Sequence, residues 1–395
     1  MVECTDRSKS ILSLTALLGL CLTLALLLGL PRMSRVVAGQ SGETSATAEE
    51  RLAAAGLVTA TSSYTYYFPA VFHDYVAPVW TLLGPTGANV RDLVVDPQTP
   101  NRLYIGTTEY GIYRSVDEVG TWERVNEGLP SGPTANILAM DPLTPTNLYA
   151  GVVGYPNFYR SVNGGNNWQA GGALWYLVAS IAVAPVSPNV LYVGTWPFES
   201  GGGQVLRSDN AGVDWVEVLP SMTHAAVIVV DPVTPTIVYA ETGSLGLIKS
   251  MDGGGHWAPV QDGTGHELGH VRNIAIDPGD HDVLYTATAD KVLKSSDGGN
   301  NWVEIGNGLP GGLIHDLVSA PTVPGIICVR MQECTAPECD DAIYKSTDAG
   351  ESWSLLSGLL SNETIRVMAV DPFNPEVLYV GTDGYGVLRY GQPLR

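Results

Sequence analysis

The sequence predicts an all-β protein built from seven like units closed into one ring, and three observations carry this. One phrase recurs from Trp80 to the end of the 395 residues: an apolar run ending in Asp-Pro or Ala-Pro, a short turn, Leu-Tyr-x-Gly or a variant, Tyr-Arg-Ser or similar, then a Gly-rich turn ending in Trp. Tryptophans 80, 122, 168, 215, 257, 302 and 353 are 42 to 51 residues apart, the period of a four-stranded propeller blade. The composition agrees: 45 Gly and 18 Tyr, with 15% charged residues, suit strands and turns.

The elements follow in order within each unit. The prolines that close the first run are Pro97, Pro142, Pro185, Pro232, Pro278, Pro321 and Pro372. The aromatic of the second run is Tyr104, Tyr149, Tyr192, Tyr239, Tyr285 and Tyr379, with Ile327 in the sixth unit. In the second unit, four strands are expected at 136–140, 147–152, 157–161 and 167–170. Each run is apolar, β-branched or aromatic and bounded by Gly, Pro or Asn, and none has the length of an ordinary helix. The first unit begins at Trp80 with no Gly-rich turn before it, and the last ends without one after GVLRYGQ. The strand around Trp80 is therefore expected to complete the last unit and remove an open sheet edge. The expected fold is a single seven-bladed β-propeller of four-stranded blades, with six blades as the alternative.

The turn before each later Trp is the sharpest signal. The copies read SVDEVGTW, SVNGGNNW, SDNAGVDW, SMDGGGHW, SSDGGNNW and STDAGESW, starting at Ser115, Ser161, Ser208, Ser250, Ser295 and Ser346. They resemble the Asp-box, or BNR, repeat S-x-D-x-G-x-x-W; the first departs, with Val119 where Gly is expected. Asp117, Asn163, Asn210, Asp252, Asp297 and Asp348 are read as structural. Their side-chain oxygens are expected to accept backbone N–H groups two or three residues on, while Gly supplies the backbone angle and Trp covers the turn. Asn can accept such bonds but cannot act as a base, so these positions form turns and do not catalyse.

Residues 1–38 read as a targeting segment. Arg7 and Lys9 precede an uncharged run from Ile11 to Leu30, long enough at about 30 Å to span a bilayer core. Val36-Val37-Ala38 offers a cleavage site, and Arg32 and Arg35 leave the charge bias ambiguous. A cleaved signal peptide and an uncleaved anchor fit equally, and both place the rest outside the cytoplasmic membrane, secreted or at the cell surface. Residues 39–75 form a linker rich in Ser, Thr, Ala and Glu and an aromatic lead-in from Tyr64 to Tyr75; the propeller takes 76–395. A membrane contact is expected through the N-terminal segment alone, if uncleaved. The formal charge of −20 repels phosphate backbones and excludes nucleic acid as an expected partner.

Two constellations could carry chemistry. Cys334 and Cys339 flank TAPE and, in an exported protein, read as a disulfide; Cys328 is nearby, with no His partner for a metal. HELGH, His266 to His270, fits H-E-x-x-H, which on a helix would bind zinc with Glu267 as general base. Gly263, Gly265 and Gly269 oppose a helix there. In extended chain, residues four apart are about 13 Å apart, too far to share one ion. The segment is expected to be a loop entering an inner strand, and no metal or cofactor is expected.

Binding is expected on one face of the ring. The Asp-Pro turns and the Ser-x-Asp turns fall on one side. The loops between second and third strands, and those between blades, fall on the other and vary. Candidates on this loop face are Glu109, Tyr110, Tyr155, Trp175, Trp196, Glu199, Asp383 and Tyr385, together with MQECTAPECDD. His224, His266, His270 and His315 are placed in the interblade loops. Aromatic rings beside carboxylates suit a glycan or a protein segment. The acids to test as a catalytic pair are Glu109, Glu199, Glu241, Glu267, Glu333 and Asp383; a glycosidase needs two about 5–9.5 Å apart.

Propellers of the resembled family include sialidases, xyloglucanases, sortilin-type receptors and photosystem II assembly factors. The early Arg-Ile-Pro motif of sialidases is absent, and Arg114, Arg160, Arg207 and Arg389 recur at one strand position around the ring and do not converge. Xyloglucanases place their carboxylates between two propellers, and this sequence carries one. The resemblance therefore implies an extracytoplasmic, non-catalytic binding or assembly scaffold close to the assembly-factor type. The alternative is a glycoside hydrolase or carbohydrate-binding propeller. No residue is assigned a catalytic role.

Overall fold

The computed structural model describes residues 77–393 except 118–119, 173, 175, 197–202, 220–224, 336–337 and 357–363, and leaves out the side chains of 334–339. The targeting segment, the linker and the aromatic lead-in lie outside the described residues. Seven four-stranded antiparallel sheets make up the ring. Blades 1 to 6 span 90–124, 135–170, 177–219, 225–259, 274–304 and 313–355. Blade 7 combines Ile365–Val370, Leu378–Thr382 and Gly386–Gly391 with the first strand of the chain, Val79–Gly84, which pairs Trp80 with Tyr390. The expected closure is thus realised, and Trp80 packs on Tyr390 with ring centroids 5.2 Å apart. In blade 2 the strands are Ala135–Met140, Leu148–Val152, Phe158–Ser161 and Gln169–Ala170, within a residue or two of expectation.

A fully buried second strand drives each blade. Leu103–Thr107, Leu148–Val152, Val238–Thr242 and Leu378–Thr382 are buried at every position, because sheets pack against both their faces. Tyr104, Tyr192, Tyr239, Tyr285 and Tyr379 are among the largest wholly buried side chains. The innermost strands leave one edge unpaired towards the ring axis. Side chains cap part of that edge: Asp92 accepts Leu138 N–H at 2.6 Å, and Ser180 accepts Ile228 N–H at 3.0 Å.

The Ser-x-Asp turns join neighbouring blades. In five of them the Ser hydroxyl accepts the N–H of the Gly four residues on, for example Gly299 to Ser295 at 2.9 Å. The Asp or Asn oxygen spans four residues to the N–H before Trp, as from His256 to Asp252 at 2.8 Å. The expected reach of three residues is met at Asp297, which also accepts the Asn300 N–H at 3.0 Å; the general reach is one residue longer because two consecutive left-handed residues, such as Gly164 and Gly165 at φ 69° and 86°, lengthen the turn. Ala211 and Ala349 take the first of these positions. The second is always Gly in the described turns with this geometry, because a Cβ at Gly254 would lie 2.9 Å from Val218 of the preceding blade.

Carbonyls of the turn are claimed by the blade before it. Tyr104 Oη and Arg114 Nη1 of blade 1 both donate to Gly164 O of blade 2. Tyr192 with Arg207, and Tyr239 with Lys249, do the same for Gly253 and Gly298. The Trp does more than cover the turn: Trp122, Trp168, Trp257 and Trp353 donate Nε1–H to carbonyls of Leu83, Val125, Val218 and Ile305 on the preceding outer strand or its end.

The two acceptors of the turn differ in burial, and so should their variants. The N–H groups held by Asp297 are exposed, whereas the Gly299 N–H held by Ser295 is buried. Ser295→Ala is expected to cost about 1–3 kcal/mol and Asp297→Ala less than about 1 kcal/mol. Urea unfolding of the two variants checks the order; a larger loss for Asp297→Ala would contradict it.

Candidate functional site

The loop face is built by the hairpins between second and third strands and by the entries into the innermost strands. Glu109, at φ 69°, and Tyr110 form the blade 1 hairpin, where the Arg124 guanidinium lies 5.2 Å from the Tyr110 ring. Tyr155 occupies the blade 2 hairpin, Trp196 ends the second strand of blade 3, and Tyr385 lies in the blade 7 hairpin. Tyr110, Tyr155, Trp196 and Tyr385 are all exposed. Blades 7, 1, 2 and 3 therefore present an aromatic arc. Trp175, Glu199 and His224 lie outside the described residues.

Several expected site residues have structural partners. Asp383 receives Nε–H and Nη2–H of Arg366 at 2.8 and 2.5 Å. Glu333 accepts the Tyr344 hydroxyl. MQECTAPECDD is not a separate loop: Ile327–Thr335 and Glu338–Ser346 continue as nine-residue strands, because their alternation keeps pairing beyond the blade. Cys334 stands opposite Cys339 in that ladder, while their side chains, and hence the disulfide, lie outside what is described. Cys328 is a free thiol that burial pushes up to about 12.

HELGH is extended. Gln261 and Glu267 form an antiparallel bridge, and the two histidines take separate partners. His266 Nδ1 meets Thr264 Oγ1 at 2.8 Å, and His270 Nδ1 meets Glu241 Oε1 at 2.9 Å. Glu241 has a nearly buried side chain, 4% exposed, on the second strand of blade 4. Gly occupies the equivalent positions 106, 151, 194 and 381, where a Cβ would collide with the next blade's inner strand. Accommodating Glu241 coincides with a shortened inner strand in blade 5, Ile274–Ile276.

A second arc was not anticipated. Pairing between the first two strands slips near the loop-face end in six blades, between Val90/Asp92, Ala135/Ile137, Val178/Ser180, Ala225/Val227, Ile314/Asp316 and Ile365/Val367. Each slip leaves one extra residue at the channel edge, as β-bulges do. In blades 6, 7 and 1 these residues are His315, Arg366 and Arg91, and Arg272 precedes the inner strand of blade 5. His315 thus belongs to a strand, Leu313–Ser319, and not to an interblade loop. Arg330 on the next strand of blade 6 adds to the group and donates to Ile365 O. Burial, reinforced by the charges of Arg330 and Arg272, holds the His315 imidazole below its ordinary pKa. Of the recurring arginines, Arg114 and Arg207 face turn carbonyls instead, and Arg389 donates to Gln392 O after the last strand.

Two acids lie on the innermost strands of blades 1 and 6, on either side of blade 7. Burial pushes the Asp92 carboxyl up to about 7, against hydrogen bonds from Leu138 and Leu93 and aided by the charge of Asp316. Asp316 is also raised by burial and accepts Asn273 Nδ2–H at 3.0 Å. Neither stands out in the sequence, because each is a single acid within a short strand, next to Arg91 or His315, with no turn or motif to mark it.

The fold recurs in known structures at low identity. A xyloglucanase of glycoside hydrolase family 74 from Xanthomonas campestris superposes with a TM-score of 0.63 at 20% identity, covering 78% of this chain and 53% of that one. YCF48 from Cyanidioschyzon merolae gives 0.58 at 14% identity, covering 80% and 99%. A structure of YCF48 bound to D1 peptide gives 0.60 at 18% identity, covering 81% and 98%. This chain spans about half the length of the xyloglucanase. No protein-family model and no curated protein matches it. The class these observations define is a seven-bladed β-propeller; at such identities the likeness shows the fold alone.

Two expectations concern the site. The raised pKa of Asp92 means the folded protein binds a proton more tightly than the unfolded chain, whose value is near 3.8. Its contribution to stability is present at low pH and declines as pH rises from about 4 to about 7. That decline is expected to vanish in Asp92→Asn, read by denaturation at half-unit steps of pH. For the other pair, His270→Ala leaves the Glu241 carboxylate without its described partner. The loss, about 1–2 kcal/mol, should shrink in a Glu241→Gln background, and equal losses in both backgrounds would remove the coupling.

Proposed function

We propose that this chain is a non-catalytic, extracytoplasmic scaffold that holds a polypeptide partner across its loop face. The observation that carries the reading is the arc Arg272, His315, Arg330, Arg366 and Arg91 over blades 5, 6, 7 and 1, on a protein of net charge −20. Of these, Arg272, Arg330 and Arg91 carry the positive charge, since His315 is held towards its neutral form and Arg366 is paired with Asp383; arginines gathered at one rim against so acidic a background favour an acidic segment. The exposed rings of Tyr110, Tyr155, Trp196 and Tyr385 lie on the adjoining blades and offer large apolar contacts. A structural neighbour, YCF48, has been captured with D1 peptide, which supports a peptide as the kind of partner. Export rests on the N-terminal apolar run read from sequence.

Three acids of this face already have partners: Asp383 pairs with Arg366, Glu241 with His270, and Glu333 accepts the Tyr344 hydroxyl. That favours binding over acid–base work. The alternative, a glycoside hydrolase or carbohydrate binder, draws support from the aromatic arc and from the family 74 neighbours. A fluorescein-labelled peptide alternating Glu with Phe is the probe. It should bind the protein, and Arg272→Glu with Arg366→Glu should weaken it about tenfold at low salt, with the difference fading as salt rises. Unchanged affinity in the double variant, or release of reducing sugar from xyloglucan by the purified protein, would overturn the scaffold reading.

A further inference from the structure

The opposite face, where the Asp-Pro turns gather, has a different chemistry. Each innermost strand runs from the loop face to its Asp-Pro turn, so these turns surround the far mouth of the channel. There a cavity of roughly 350 Å³ opens between blades 6, 7, 1 and 2, walled by Val94, Met140, Val318 and Met368 together with turn prolines. It is near the low end of the roughly 300–1,000 Å³ of ligand pockets, so it takes a side chain or two and not a folded element.

The turn apices extend this apolar lining outwards. The residue after the turn proline is Leu143, Val186, Val233 or Phe373 in blades 2, 3, 4 and 7, and these are 57, 52, 62 and 48% exposed. Leu143 and Phe373 stand on blades that bound the cavity, and Val186 and Val233 continue the same turn position onto blades 3 and 4, a repetition unlike the scatter found on any surface. Further from the axis, on the same face, stand the Ser-x-Asp turns. Hydrogen bonds from Ser352 and His256 hold the carboxyls of Asp348 and Asp252 at about 2, so both are ionised at neutral pH. Asp297 adds a third, held below its ordinary pKa by the Asn301 side chain, whereas Asp209 and Glu376 already pair with Arg207 and Lys345. The cations of this end are largely turned inwards: Arg114, Lys249 and Lys345 donate to the carbonyls of Gly164, Gly298 and Pro375. The rim therefore stays negative around an apolar centre.

We propose that this face is a second docking surface, for a basic polypeptide segment that inserts a large apolar side chain into the channel mouth. The apolar side chain fills the cavity between Val94 and Met368 while flanking Lys or Arg residues meet the carboxylates of the Ser-x-Asp turns. It is separate from the loop face and does not depend on that reading.

Fluorescence anisotropy with fluorescein-labelled five-residue peptides tests it on the full chain. Lys-Lys-Phe-Lys-Lys should bind at least tenfold more tightly than Lys-Lys-Ser-Lys-Lys, and Glu-Glu-Phe-Glu-Glu should not bind this face. The double variant Leu143→Ser, Phe373→Ser, altered at exposed positions, should erase the preference for Phe. Val303→Asp, on an outer strand, should leave it intact. Equal affinity for the Phe and Ser peptides would reduce the effect to diffuse charge and overturn the proposal. So would a preference for Phe that survives the double variant.

Discussion

The ring depends on one interaction, the docking of each Ser-x-Asp turn into the blade before it. Two consecutive left-handed residues expose carbonyls that no strand can satisfy. The preceding blade answers with a buried Tyr hydroxyl and a Lys or Arg, as at Gly164, Gly253 and Gly298. The Trp that ends the turn then bonds back to the same blade, as Trp168 does at Val125 O, 2.7 Å. A buried carbonyl without a partner costs about 1–3 kcal/mol, so blade spacing is held by polar geometry as well as by apolar area. This explains why the repeated Tyr and Arg belong to one phrase in the sequence: they are written in one blade and spent on the next.

A second constraint comes from the ring axis. Innermost strands cannot pair across the channel, so their edge groups need side-chain partners. Asp92 and Ser180 supply them, at the expense of burying a carboxyl in the case of Asp92. The bulge that brings these residues into place also pushes its extra residue to the loop-face rim. Where that residue is Arg, as at Arg91 and Arg366, the capping device places charge on the rim. Framework and candidate site are thus two results of the same slip in register.

The two faces of the ring consequently differ. Loop hairpins and bulges give one face aromatic and cationic side chains; Asp-Pro and Ser-x-Asp turns give the other an apolar centre and a negative rim. Likeness to a xyloglucanase and to YCF48 does not choose between them, since one fold carries unrelated functions. The choice rests on where charge and apolar surface gather.

Sequence by itself determined the number of blades, the strand order within each and the closing role of the strand at Trp80. Those properties are local and repeated: a Trp every 42 to 51 residues marks seven units, and six of the seven tryptophans close the same turn signature. The rejection of a helix at HELGH was legible for the same reason, since Gly263, Gly265 and Gly269 act locally. What the tertiary structure decided involves residues distant in sequence. Arg91 and Arg366 are 275 positions apart and become rim neighbours because the ring closes between blades 7 and 1. Asp92 senses the charge of Asp316 two blades away, and Glu241 on blade 4 meets His270 in the link to blade 5. A bulge leaves no mark in the alternation of so short a strand. The residues it displaces could therefore be read as rim residues only once the ladder register was known.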